Sequence, residues 1–175
     1  MIIKQLESAS STGKMAYLVL CLEGYLLEKM PERDWTPILE ILWQVTSSEC
    51  CLDLWSDNVV EIIPSLFFET PGYQDFDYLT EDQYRKIAVL YQNVSAAWED
   101  LVSAVQHAAP LYANGTRGCC EYADEDVDFV AEVMRREGVP LPDVDIASLS
   151  PKPAHGEPDK PIDAAQLSRV LDYQP

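Results

Sequence analysis

The sequence predicts an all-α protein: a helical bundle of about five to six helices carrying an extended, proline-rich C-terminal tail. Three observations predict it. Apolar residues recur at three- and four-residue steps in one stretch after another, as an amphipathic helix requires. Ser, Thr, Asp, Pro and Gly stand where those stretches begin and end. Apolar residues make up 47% of the 175, with four Trp and nine Tyr, which is enough to close a core around them.

The first helix is expected over residues 12–30. Met15, Leu18, Leu22, Tyr25 and Leu26 share a face, Ser10, Ser11 or Thr12 offers an N-cap, and Pro31 stops the run. The second opens at Asp34 or Thr36, with Pro37 in the first turn, where its missing N–H has no helical partner to lose. Ile38, Leu39, Leu42, Trp43 and Thr46 form its apolar side. A third runs over 52–63 on Leu54, Trp55, Val59, Ile62 and Ile63, and Pro64 marks an end or a kink. The short gap between these two helices predicts an antiparallel hairpin.

Residues 69–79 (ETPGYQDFDYL) hold Pro71–Gly72, aromatics and acids without a helical period, which predicts a loop. Thr80 and Gln83 have capping-box spacing, and Glu81 and Asp82 suit the positive end of a helix dipole. Tyr84, Ile87, Tyr91, Val94, Trp98, Leu101, Val102 and Val105 then carry one face to about residue 108, with a bend or break near residues 93–95. Residues 110–118 are expected to be a loop rich in Asn, Gly and Thr. Asp124 is expected to cap a further helix ending at Arg135–Arg136 and Gly138, with Val127, Val130, Val133 and Met134 inward. Beyond Gly138 the prolines predict extended chain, and Asp163 caps a last short helix through Leu171. The division is a helical domain over 1–150 and a proline-rich tail with a short terminal helix over 151–175. Alternating hairpins leave a HEAT-like arrangement open.

Charge is the outlying property. Twelve Lys and Arg against 30 Asp and Glu give −18, and the excess is uneven. Residues 31–80 carry Arg33 against ten acids (−9), and residues 116–150 carry three bases against nine acids (−6). Such a surface repels phosphates and anionic lipid and favours a basic partner, although strong negative charge also serves solubility alone. Nucleic acid and membranes are therefore not expected as partners. No stretch is apolar for long enough to span a bilayer, and the N-terminus lacks signal-peptide order. The five cysteines, Cys21, Cys50–Cys51 and Cys119–Cys120, fit a reduced, cytoplasmic setting better than a disulfide framework.

Catalytic chemistry finds no support. The two histidines, His107 at the end of a helix and His155 in the tail, sit beside no nucleophile motif, and the glycine-rich phosphate loops are missing. Adjacent cysteines seldom face one zinc ion, and Asp75, Asp77, Asp124, Asp126 and Asp128 do not form an EF-hand loop. The expectation is no enzyme, no cofactor and no metal.

What remains is recognition. Phe67, Phe68, Tyr73, Phe76 and Tyr78 are interleaved with Glu69, Asp75, Asp77, Glu81 and Asp82. Aromatic rings supply contact area, and carboxylates between them pair with Lys or Arg. The same pattern also fits rings packed inward beneath a loop whose acids face water. The second acidic stretch is residues 121–128 (EYADEDVD). The partner-binding residues expected from both stretches are Glu69, Tyr73, Asp75, Phe76, Asp77, Tyr78, Glu121, Asp124 and Asp126.

Residues 34–43 (DWTPILEILW) followed by 52–64 (LDLWSDNVVEIIP), together with size and acidity, make residues 12–137 resemble the small helical immunity proteins of bacterial toxin–immunity systems. The resemblance implies a cytoplasmic bacterial protein that binds a cognate toxin, often a basic nuclease, and blocks its active site or another essential surface. The alternative of another class is a helical scaffold or regulatory domain that self-associates or docks through its C-terminal tail.

Overall fold

Eight α-helices and no β-strand form among the residues the computed structural model describes, which are 6–47, 50–114, 119–154 and 159–171, the side chains at 114 and 119–121 excepted. Three of the helices follow the hydrophobic period directly. These are α1 (Ser11–Lys29), α2 (Thr36–Trp43, extended by a 3-10 turn over Gln44–Thr46) and α3 (Leu52–Val60). The Ser10 hydroxyl caps α1 by accepting from the Gly13 N–H at 2.9 Å. Helix α3 ends at Val60, before Pro64, which was expected to mark an end or a kink; Pro64 also opens the short helix α4 (Pro64–Glu69), where its fixed φ suits the first turn.

The long helical stretch after Thr80 is two helices. α5 (Glu81–Leu90) starts with a reciprocal capping box between Thr80 and Gln83, and α6 (Ala96–Asn114) follows after a break. The break lies at Asn93, whose φ of 60° puts it in the left-handed region, where Asn is among the few residues tolerated. Helix α6 also runs through the expected loop at 110–118, as far as Asn114. Pro110 lies inside it and lacks the N–H that would reach the Gln106 carbonyl. Ser56 of α3 takes that role: its buried hydroxyl donates to the Gln106 carbonyl at 3.1 Å and accepts from the Gln106 amide at 2.8 Å. A tertiary contact thus satisfies the acceptor that proline strands.

Helix α7 (Cys119–Arg136) begins earlier than Asp124, so Asp124 is a mid-helix residue and not a cap. Its end is as expected: Gly138 adopts φ 70°, and the Val139 N–H returns to the Met134 carbonyl at 2.9 Å. Helices α6 and α7 are antiparallel neighbours, since Asp100 pairs with Arg136 and Tyr112 with Asp124. Helix α6 is the central element and packs on α1, α3 and α7. Trp35, Trp98, Tyr25, Tyr91 and Phe67 are the largest side chains buried around it.

Past Gly138 one more helix forms, the single turn α8 (Ile146–Leu149), capped by Asp145. Ser150 bonds Ser10 at 2.6 Å, Ala9 bridges Pro151, and the Thr12 N–H reaches Asp159 at 2.8 Å. The helix expected from Asp163 to Leu171 is only a 3-10 turn over Ala164–Gln166. The chain leaves the helical path there because Glu23, a carboxylate 1% exposed on α1, draws it off. The Arg169 N–H donates to Glu23 Oε1 at 2.6 Å, and the Ser168 hydroxyl donates to Oε2 at 2.6 Å. Trp43 Nε1 donates to the same Oε2 at 2.8 Å. Buried charge is tolerated when its lone pairs are filled in this way. No helix of the described residues is long and apolar enough to cross a membrane.

Candidate protein-docking surface

Helix α3 buries Trp55, Ser56 and Val59 against the bundle, so the helical period turns Asp53, Leu54 and Asp57 outward. Leu54 is 59% exposed, which is unusual for a large aliphatic chain near a core tryptophan. The loop 70–80 comes alongside because Glu61, at the end of α3, gathers it. One carboxylate oxygen of Glu61 accepts from the Asp77 N–H at 2.6 Å and the other from the Leu79 N–H at 2.8 Å. Both accept from the Tyr78 N–H at 3.1 Å. Three successive main-chain donors are thereby fixed by one side chain, and Tyr78 is held 45% exposed across from Leu54.

Between them lies an open groove of about 350 Å³ lined by Gln44, Ser47, Cys50, Cys51, Leu54, Trp55, Asn58 and Tyr78. Among the lining residues Trp55 is buried, and its indole N–H donates to the Ile41 carbonyl at 3.0 Å, which holds the ring in place. Burial, with Cys51 beside it, pushes the Cys50 thiol above its usual range, so it stays protonated at neutral pH. Among the described residues, no His, Lys or Arg lines the groove. No base occurs anywhere between Arg33 and Arg85, while Asp53, Asp57, Glu61, Asp75 and Asp77 all fall in that interval. The lining offers apolar contact and hydrogen-bonding amides, and Asp53 and Asp57 are exposed on the same helix.

The residues expected to bind a partner divide into three groups. Glu69, Asp75, Asp77 and Tyr78 are exposed, and Tyr73 is half-buried. Phe76 faces inward: its ring lies 5.5 Å from Phe67 and 5.4 Å from Tyr84, in a cluster that Tyr91 completes. For Phe76 the inward alternative is the correct one, because a loop over a phenylalanine-rich patch gains most by burying a ring there. Asp124 and Asp126 flank the buried stripe of α7 on opposite sides and are committed to neighbouring helices. Asp124 accepts from Lys14 Nζ and from the Tyr112 hydroxyl, each at 2.7 Å, and the Lys14 ammonium also lies over the Tyr112 ring. Asp126 meets His107 Nδ1 at 2.8 Å, and burial raises its pKa above the usual carboxylate value, with the His107 bond opposing. The Glu121 side chain and His155 lie outside the described residues.

Asp53, Leu54 and Asp57 were not among the expected residues. Leu54, expected on the apolar face of this helix with Trp55 and Val59, is a correction: Trp55, Ser56 and Val59 take the inward side, and the 100° step per residue then turns 53, 54 and 57 outward. Among the described residues no three His, Cys, Asp or Glu side chains gather into a cluster fit for a metal ion. No protein-family model, curated protein or solved structure matches the chain.

Proposed function

We propose that the chain is an acidic protein-binding protein of immunity type, which neutralises a basic partner such as a toxin domain. The observation that carries this reading is the groove between Leu54 and Tyr78, set in an interval of sequence without one basic residue. A Lys or Arg side chain is apolar along its stem and charged at its tip. Its stem fits against Leu54, Tyr78 and the edge of Trp55, and its charge meets Asp53, Asp57 and Asp77. The resemblance of residues 12–137 to immunity proteins and the charge of −18 support the same conclusion. Helices α3, α6 and α7 stack in a HEAT-like manner, and the described residues 151–154 and 159–171 form a proline-rich strap over α1.

The experiment is calorimetric titration of the full chain with the product of a neighbouring toxin-like gene, at several salt concentrations. The expected result is binding that weakens about tenfold or more between roughly 50 and 500 mM salt. The Asp53→Asn/Asp57→Asn/Asp77→Asn variant should bind more weakly at low salt and lose most of the salt dependence. A millimolar, salt-independent interaction would overturn the reading.

A further inference from the structure

Helix α7 has a second face that the groove does not use. Its buried residues are Ala123, Val127, Val130, Ala131, Val133 and Met134, and the 100° step per residue places Glu125, Asp128 and Glu132 on the opposite crest. All three acids are exposed. Beside that crest, on the α6 side, the ridge reads Tyr122, Asp126, Phe129 in steps of four and three. Asp126 holds His107 of α6 at 2.8 Å, which fixes this ridge along the seam between the two helices. Tyr122 is 61% exposed and Phe129 43% exposed, one turn on either side of that pair. Two large rings about 10.5 Å apart along the axis, two helical turns, match the spacing of apolar residues at i and i+7 on another helix.

We propose that the α6–α7 seam is a docking face for an amphipathic basic helix of a partner protein. Tyr122 and Phe129 receive its apolar side, and Glu125, Asp128 and Glu132 receive lysines or arginines along its edge. Charge complementarity selects this occupant: the crest carries three acids and no base until Arg135 and Arg136, and Arg136 is already paired with Asp100 and Glu137. A second copy of this acidic chain would meet the crest with like charge. Exposed rings also hold cations over their faces, which strengthens the preference for lysine and arginine. None of these residues lines the α3 groove.

The test uses the full chain and two fluorescent peptides of about 18 residues, long enough for helix to form on contact. One is built of Leu, Lys and Ala with leucines at i, i+3 and i+7 and lysines along the edges. The other has the same composition scrambled. Fluorescence anisotropy at roughly 50 and 300 mM salt reads affinity. The amphipathic peptide is expected to bind about tenfold tighter than the scrambled one, and Tyr122→Ala/Phe129→Ala to abolish that difference. Glu125→Gln/Asp128→Asn/Glu132→Gln should flatten the salt dependence, and all five positions are exposed, so both variants keep the fold. Asp53→Asn/Asp57→Asn/Asp77→Asn should leave peptide binding unchanged. Equal affinity for the two peptides, or a loss seen only with the α3 variant, would overturn the proposal without touching the reading of the groove.

Discussion

At the scale of single residues, Glu23 carries the largest consequence. It is the one fully buried carboxylate among the described residues, and its two oxygens serve three donors from two distant parts of the chain. Gln has almost the same shape but presents one acceptor and one donor. With its oxygen toward Arg169, its amide N–H₂ faces the Trp43 indole N–H. Turned the other way, it faces the Arg169 main-chain N–H. Either orientation sets a donor against a donor in a site closed to water. Glu23→Gln is therefore expected to cost about 2–3 kcal/mol, read as a lower urea midpoint at unchanged slope. A loss within about 0.5 kcal/mol, the range of surface substitutions, would mean that the C-terminal segment does not rest on this carboxylate. The sequence shows Glu23 only as an acid interrupting an apolar run. Nothing local to it announces that Ser168 and Arg169, about 145 residues away, will fill it.

At the scale of elements, hydrophobic period and capping chemistry made α1, α2, α3, α5 and the end of α7 legible, because each is decided within a few residues. Two misreadings, the loop at 110–118 and the helix from Asp163, share a cause: a long-range contact overrode a local signal. Pro110 reads as a terminator by itself, yet α6 continues because Ser56 supplies the bond that proline removes. The two positions are expected to be coupled. Ser56→Ala should cost about 1 kcal/mol, since it takes the Ser56 donor from the part-buried Gln106 carbonyl. In a Pro110→Ala background the main-chain N–H restored at that position can reach the same carbonyl, so the cost of Ser56→Ala should fall by about half or more. Denaturant unfolding of the four proteins gives the coupling directly, and strict additivity would refute it. The site follows the same logic. Asp124 and Asp126 lie in an acidic stretch that is easy to see, but Lys14 and His107 on other helices engage them. The residues left outward, Glu125, Asp128 and Phe129, follow from the α7 period once Val127 and Val130 are known to face the core.

At the scale of the whole molecule, the balance of 30 acids against 12 bases decides how salt acts. Even if every Lys and Arg formed an ion pair, 18 acids would remain in excess, and the two dense blocks contain most of them. The pairs that do form are mainly near the surface, where each is worth at most about 1 kcal/mol. Like-charge repulsion in the compact state therefore outweighs attraction, and screening it favours the folded chain more than the expanded one. The urea midpoint is expected to rise steadily as sodium chloride increases from roughly 20 to 500 mM, over which the screening length shrinks from beyond the ion-pair scale to a few ångströms. The same salt weakens capture of a basic partner, because the unpaired carboxylates that strain the free protein are those a partner would neutralise. One titration should thus move stability and affinity in opposite directions. Stability that fell with salt would mean that paired charges dominate, and the acidic surface would lose its reason to seek a cation. If both measurements rose together, association would be led by apolar contact through Leu54 and Tyr78, with the carboxylates serving solubility.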